Sequence, residues 1–336
     1  MKLQSGPKYS RRNTNKLSFL ICFSLLAAMV RAADVREIVI PADQRGPQIL
    51  AQLWTPCAAP SRPITPDSSP SRLTIKGEKG CAQLGKGLPL IIISHGLFGD
   101  MFSHHDTAEF LADAGFAVVA LNHTLDSASS IKDKSADDIS SFLVRPIDIK
   151  RVIDFLLTSS RASFDIDPRR IGFFGFSRGG YTGLVLAGGV RNFHAPPFPR
   201  PKEFVMCKQI SDNNIPDHGP GNEPRFKTFV IADPVSFFPD KSSLQEVRAP
   251  IQLWSSDHGG MGVRPEHVAS VAKNLPNAPE FHRPANSGHL SFNAPCSNEG
   301  IVCTDPPGFD RIDFHRKFNA QVLEFFRKNL PSDADR

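Results

Sequence analysis

An α/β fold with a mostly parallel central sheet and helices on both faces is what this 336-residue chain predicts. Three observations carry that expectation. Short apolar runs recur along the chain: Leu88 to Ser94, Phe116 to Leu121, Ile171 to Phe174, Thr228 to Ala232 and Ile251 to Trp254. Runs of this kind without alternation are how strands buried on both faces read. Stretches with helical spacing lie between them, such as Pro146 to Leu157 with Ile149, Val152, Ile153 and Leu156. Finally, the run Ile171 to Phe174 stops abruptly at Gly175-Phe176-Ser177-Arg178-Gly179, and a helical stretch, Tyr181 to Ala187, follows.

That strand, turn and helix have the form of a nucleophile elbow, a G-x-S-x-G turn so sharp that its central residue is held in a strained backbone conformation. Gly175 and Gly179 are expected where strand and helix pass too close for a Cβ. Ser177 would then stand above the sheet edge at a helix N-terminus, whose amides favour developing negative charge.

The chain opens with Lys2, Lys8, Arg11, Arg12 and Lys16, followed by the mostly apolar run Leu17 to Val30. A run that short does not favour a membrane span. With Val30-Arg31-Ala32 behind it, it reads as a secretory signal peptide over residues 1–32, cleaved after Ala32. The residues after Ser10-Arg11-Arg12 are polar, which favours general secretion over twin-arginine export, and Cys22 follows Ile21 rather than the small residue of a lipid-anchor signal. The mature protein is therefore expected to be exported, periplasmic or secreted, with no stable membrane insertion. The leader carries six of the 39 basic residues and no acidic one, leaving 33 basic against 34 acidic. That balance gives no reason to expect a nucleic-acid or anionic-membrane partner. In an oxidising compartment Cys57 with Cys81, and Cys296 with Cys303, are candidate disulfides, and Cys207 is the odd thiol. No CxxC pair or histidine cluster points to zinc.

Residues 33–336 read as a single domain. Val35 to Ile40 and Ile49 to Trp54 are expected to open the sheet as antiparallel strands. Residues 56–87, with Pro56, Pro60, Pro63, Pro66 and Pro70, read as a loop insertion without regular structure. Leu88 to Ser94 runs into His95-Gly96-Leu97, a loop placed to supply one oxyanion-binding amide, that of Leu97; the residue after the nucleophile, Arg178, would supply the other. Helices are expected over Thr107 to Ala114, Pro146 to Leu157, Pro265 to Lys273 and Phe314 to Asn329, and a last strand over Glu280 to Arg283. Residues 190–225 carry seven prolines with Phe193, Phe198 and Phe204 among them. They fit either a lid above the site or a solvated loop.

Serine needs a base to take its proton, and the base needs a carboxylate to fix its tautomer. Elbow folds supply these in the order Ser, Asp or Glu, His. Of the 11 histidines, His289 fits the last position: it follows the final strand and lies downstream of two strand-end aspartates, Asp233 and Asp257. Asp233 directly follows the apolar strand Thr228 to Ala232 and is stiffened by Pro234; Asp257 lies just past the next strand, in a Gly-rich setting.

Ser94-His95-Gly96-Leu97, Gly175-Phe176-Ser177-Arg178-Gly179-Gly180 and Gly288-His289-Leu290-Ser291-Phe292, with Val118 to Leu121 running into Asn122-His123, together resemble the plasma-type platelet-activating-factor acetylhydrolases. They are still more similar to exported bacterial relatives of that group, often labelled predicted dienelactone hydrolases. The resemblance spans roughly Leu88 to Phe326. It implies an α/β-hydrolase fold and a serine esterase acting on small-molecule or lipid esters of short acyl chain, with no cofactor and no metal. Family usage favours Asp233 as the acid, with Asp257 the alternative. Phe176 stands where many members carry histidine, and Ser177 where true dienelactone hydrolases carry cysteine. A polyester or cutinase-like hydrolase is the nearest rival reading. A non-catalytic binding module on the same fold is another, because fold does not dictate function.

Overall fold

The computed structural model describes Met1 and residues 32–69, 73–129, 135–158, 164–195, 205–217, 221–296 and 301–332. Most of the expected leader, together with Phe198 and Phe204, lies outside the described residues. In chain order the strands are β1 (Ala32–Ile40), β2 (Ile49–Cys57), β3 (Arg62–Ile64), β4 (Ile75–Gly77), β5 (Leu88–Ser94), β6 (Ala117–Leu121), β7 (Ile166–Phe176), β8 (Phe226–Ala232), β9 (Ile251–Trp254) and β10 (Glu280–His282). The helices are α1 (His105–Asp113), α2 (Ser140–Thr158), α3 (Arg178–Leu186), α4 (Val205–Ser211), α5 (Lys241–Leu244), α6 (Pro265–Asn274) and α7 (Arg311–Asn329).

Eight strands form one sheet in the order β1-β2-β6-β5-β7-β8-β9-β10. β2 pairs antiparallel with both β1 and β6, and every pairing from β6 to β10 is parallel. The apolar runs explain the layering. Leu90 and Ile92 of β5 belong to one core with α2, α3 and α6, while Ile91 and Ile93 belong to a second core with α1 and α7. Both faces of the central strands are therefore covered, as their unbroken hydrophobicity requires. Because the central strands are parallel, their C-terminal ends share one edge of the sheet, where ligands bind in folds of this kind.

Two expectations about local structure are corrected. Helix α2 begins at Ser140, six residues before Pro146, so the proline sits inside the helix. A proline there removes one backbone hydrogen bond, but Phe142 and Leu143 are buried in the core and hold the first turn in place. The Pro-rich insertion is also not devoid of regular structure, since β3 and β4 pair antiparallel. A Cβ on Gly77 would lie 2.1 Å from Val35 Cγ2, so this hairpin packs directly on the edge strand. The Cys57–Cys81 disulfide and the Cys81 amide, which donates to Asp34 Oδ1 at 3.0 Å, fasten its far end.

Candidate active site

Strand β7 delivers Ser177 to the parallel edge, and the glycines around it show why no other residue serves there. A Cβ on Gly175 would lie 2.2 Å from the Gly179 carbonyl oxygen. One on Gly179 would lie 2.0 Å from the carbonyl oxygen of Ser94 at the end of β5. The second contact was not anticipated: Gly179 is required by the neighbouring strand, not by β7 itself. Between these close approaches Ser177 adopts φ 56° and ψ −113°, a left-handed conformation costly for a residue with a Cβ.

Ser177 Oγ lies 3.0 Å from Nε2 of His289, and Nδ1 of His289 lies 2.6 Å from Oδ2 of Asp233. All three residues are buried. The Ser256 amide donates to Asp233 Oδ1 at 2.8 Å and the Ser256 hydroxyl to Oδ2 at 2.7 Å. The carboxylate is thus held by two donors besides His289, and the tautomer this favours in a neutral imidazole carries its proton on Nδ1 and turns the lone pair of Nε2 to the Ser177 hydroxyl. Such an arrangement can raise the nucleophilicity of a serine hydroxyl.

No family model matches the chain, and no curated protein matches it in sequence. Among solved structures, a ferulic acid esterase from Streptomyces cinnamoneus superposes with a TM-score of 0.63 at 18% identity, covering 92% of this chain and 94% of that one. The fold is the α/β-hydrolase fold.

Within this fold Asp257 is placed elsewhere. Its Oδ1 pairs with Arg283 Nε at 2.9 Å and its Oδ2 accepts the Asn286 amide at 3.0 Å. It therefore organises the turn that precedes His289 and does not touch the imidazole. Phe176 lies against that imidazole, with ring centroids 4.7 Å apart at 33°. Where the resembling family often carries histidine, this chain has an apolar plate that restricts the base to one orientation. A Cβ on Gly260 would lie 2.9 Å from His289 Cβ, so the loop after β9 also closes on the base.

The segment after His289 is braced from three directions. Ser291 Oγ donates to Asp305 Oδ1 at 2.6 Å, Arg311 grips the same carboxylate at 2.8 and 2.9 Å, and Cys296 is bonded to Cys303. Cys207, the odd cysteine, is buried on α4. Phe193, in the segment read as a lid or loop, packs against Phe142, Tyr181 and Phe237. Among the described residues no group of three His, Cys, Asp or Glu side chains is placed to hold a metal ion, and no helix is long and apolar enough to cross a membrane.

The loop carrying Leu97 passes beside the serine: a Cβ on Gly96 would lie 3.2 Å from Ser177 Cβ. Arg178 is the first residue of α3, so its amide faces the same side as the serine. Several residues that hold the acid or these two amides escaped sequence reasoning. Ser256 is one; Asp126 and Arg145, buried and paired at 2.6 Å, are others. The only signal for Asp126 was its place in the loop after β6, at the sheet edge where the serine also stands.

Two further histidines lie behind the elbow. His104 meets Phe174 and Phe176 edge-on, at centroid distances of 5.1 and 5.5 Å. Burial pushes its pKa down to about 3. Burial, reinforced by the charge of Arg145, takes His95 down to about 4. The unfolded chain protonates these groups near 6.5. Below that value the unfolded state binds protons that the folded state refuses, so their stability is present above 6.5 and drains as pH falls toward the folded values. His104→Phe should therefore show a smaller drop in Tm than wild type between about pH 7 and about pH 4.5. Equal drops in parallel melts would remove His104 as a source of acid sensitivity.

Proposed function

We propose that the protein is an exported serine carboxylic-ester hydrolase that cleaves short-chain acyl esters through an acyl-enzyme. The observation that carries this reading is the unbroken hydrogen-bonded chain Ser177–His289–Asp233 at the strand ends. Ser177 Oγ attacks the acyl carbon while His289 Nε2 takes its proton; Asp233 steadies the imidazolium that forms. The Leu97 and Arg178 amides hold the oxyanion. As the tetrahedral adduct collapses, the C–O bond to the alcohol breaks and His289 returns the proton to the leaving oxygen. Water then repeats the sequence on the acyl-enzyme, and the acid departs. The scheme uses no cofactor.

The sequence resemblance to plasma-type platelet-activating-factor acetylhydrolases and their exported bacterial relatives supports a short acyl group and a small-molecule or lipid ester as substrate. The fold shared with a ferulic acid esterase is in keeping with ester chemistry. Two disulfides accord with an oxidising, extracytoplasmic location.

Incubation with a serine-reactive fluorophosphonate, followed by peptide mass mapping, should place one adduct on Ser177. With 4-nitrophenyl esters of increasing acyl length, kcat/KM should peak at the shortest chains. A folded protein that takes no label, and cleaves none of these esters, would sink the proposal. A peak at long chains would retain the chemistry and move the substrate toward the polyester and cutinase-like class.

A further inference from the structure

One buried carboxylate lies behind both amides assigned to the oxyanion. Asp126, in the loop after β6, is fully buried. Its backbone carbonyl accepts the amide of Phe98, the residue after Leu97, at 2.9 Å. Its carboxylate receives Arg145 Nη1 on both oxygens, at 2.7 and 2.6 Å, and Arg178 Nη1 on Oδ2 at 3.2 Å. Arg145 extends the connection in two directions. Its Nη2 donates to the His95 carbonyl and, at 3.2 Å, to Ser94 Oγ, the residues that lead into Gly96-Leu97. Its Nε donates to Thr182 Oγ1 at 3.1 Å, and that hydroxyl donates to the Arg178 carbonyl at 2.9 Å. The Arg178 guanidinium also donates to the Ala136 carbonyl and Ser141 Oγ, at 3.1 and 3.0 Å, and lies 4.3 Å from the Phe142 ring centre.

Burial alone would raise the Asp126 carboxyl, but Arg145 and Arg178 outweigh it and hold it below the ordinary value. Asp126 is thus a charged centre whose two cations reach the two separate loops. A buried ion pair does little for stability compared with apolar side chains of the same volume. Geometric definition is the use that remains: both donors of an oxyanion hole must point at one small volume, and each is worth roughly 10² to 10³ in rate.

We infer that Asp126 is a positioning residue that clamps the Leu97 loop and the start of α3 together, through Arg145 and Arg178, and so fixes the spacing of the two oxyanion amides. This rests on the ester-hydrolase reading above. Without the carboxylate, two buried guanidiniums would face each other unscreened and push the loops apart.

The test uses 4-nitrophenyl acetate as substrate and phenylboronic acid, which forms a tetrahedral anionic adduct on serine, as the probe. Asp126→Asn should lower kcat by on the order of 10² and weaken boronic-acid binding by a similar factor, with KM within about threefold of wild type. Arg178→Leu keeps the amide, leaves the Asp126–Arg145 pair in place and removes one limb of the clamp. It should lower kcat and boronic-acid affinity together by about tenfold. If Asp126→Asn does not fold, as judged by its melting transition, Arg178→Leu decides alone. Folded variants with wild-type kcat and boronic-acid affinity overturn the assignment, as does a loss confined to KM. A wild-type protein that neither cleaves the ester nor binds the boronic acid would instead overturn the ester-hydrolase reading, and the clamp with it.

Discussion

Ser177→Ala is expected to fold as wild type does and to lose on the order of 10⁶ in kcat. The size of the loss follows from the triad acting as a unit: once Oγ is gone, the His289 base at 3.0 Å has nothing to deprotonate. Unimpaired folding is expected because Ser177 Oγ has His289 as its hydrogen-bond partner, while the backbone that shapes the elbow is held by the Ser177 amide, which donates to the Ala232 carbonyl at 3.0 Å, and by the Ser177 carbonyl, which accepts from Val235 at 3.1 Å. Alanine keeps the Cβ and hence the strain of φ 56°. Ser177→Gly would be as inactive as the alanine variant but should be more stable by roughly 1 kcal/mol, because glycine adopts that conformation without penalty. Steady-state rates and thermal melts of both variants check the two halves of the argument. Retention of a tenth of the wild-type rate in Ser177→Ala would take Ser177 out of the mechanism.

What could be read from the sequence, and what could not, divides along a physical line. Strands buried on both faces announce themselves locally, which is why Leu88–Ser94 and Phe226–Ala232 were found to within two residues. The elbow was legible because a strand, two glycines and a helix are all contiguous. Contacts between distant segments leave no such trace. Asp126 and Arg145 are 19 residues apart, and in sequence each looks like an ordinary solvated charge. The β3–β4 hairpin is tied by the Cys57–Cys81 disulfide, a pair the sequence offered, but it also packs on the side of Val35, a contact that no local pattern of prolines and serines reveals. The start of α2 lies earlier than expected because proline is locally favoured at the first turn of a helix, a preference overruled by burial of Phe142 and Leu143.

The acid partner of His289 is the case where local pattern left two answers, and mutation should separate them widely. Asp233→Asn is expected to cost roughly 10⁴ in kcat. The direction of the effect follows from the donors around the side chain. The Ser256 amide points at Oδ1 from 2.8 Å and can only donate, so an asparagine must keep its carbonyl oxygen there. Its amide nitrogen then occupies the site of Oδ2, facing His289 Nδ1 at 2.6 Å, with a hydrogen where an acceptor stood. The Ser256 hydroxyl, now donating to Oδ2 at 2.7 Å, can rotate to accept from that nitrogen and offers no resistance. The imidazole is driven to the tautomer that carries its proton on Nε2, which cannot take the proton of Ser177. The substitution should leave the fold intact, since Asp233 has φ 44° and asparagine tolerates that region as well as aspartate does. Asp257→Asn removes an ion pair with Arg283 at the surface and should change kcat by no more than about threefold. Rates for the two purified variants, with melts to confirm folding, decide the matter: a larger loss from Asp257→Asn than from Asp233→Asn would mean that the carboxylate seen against His289 is not the one the reaction uses.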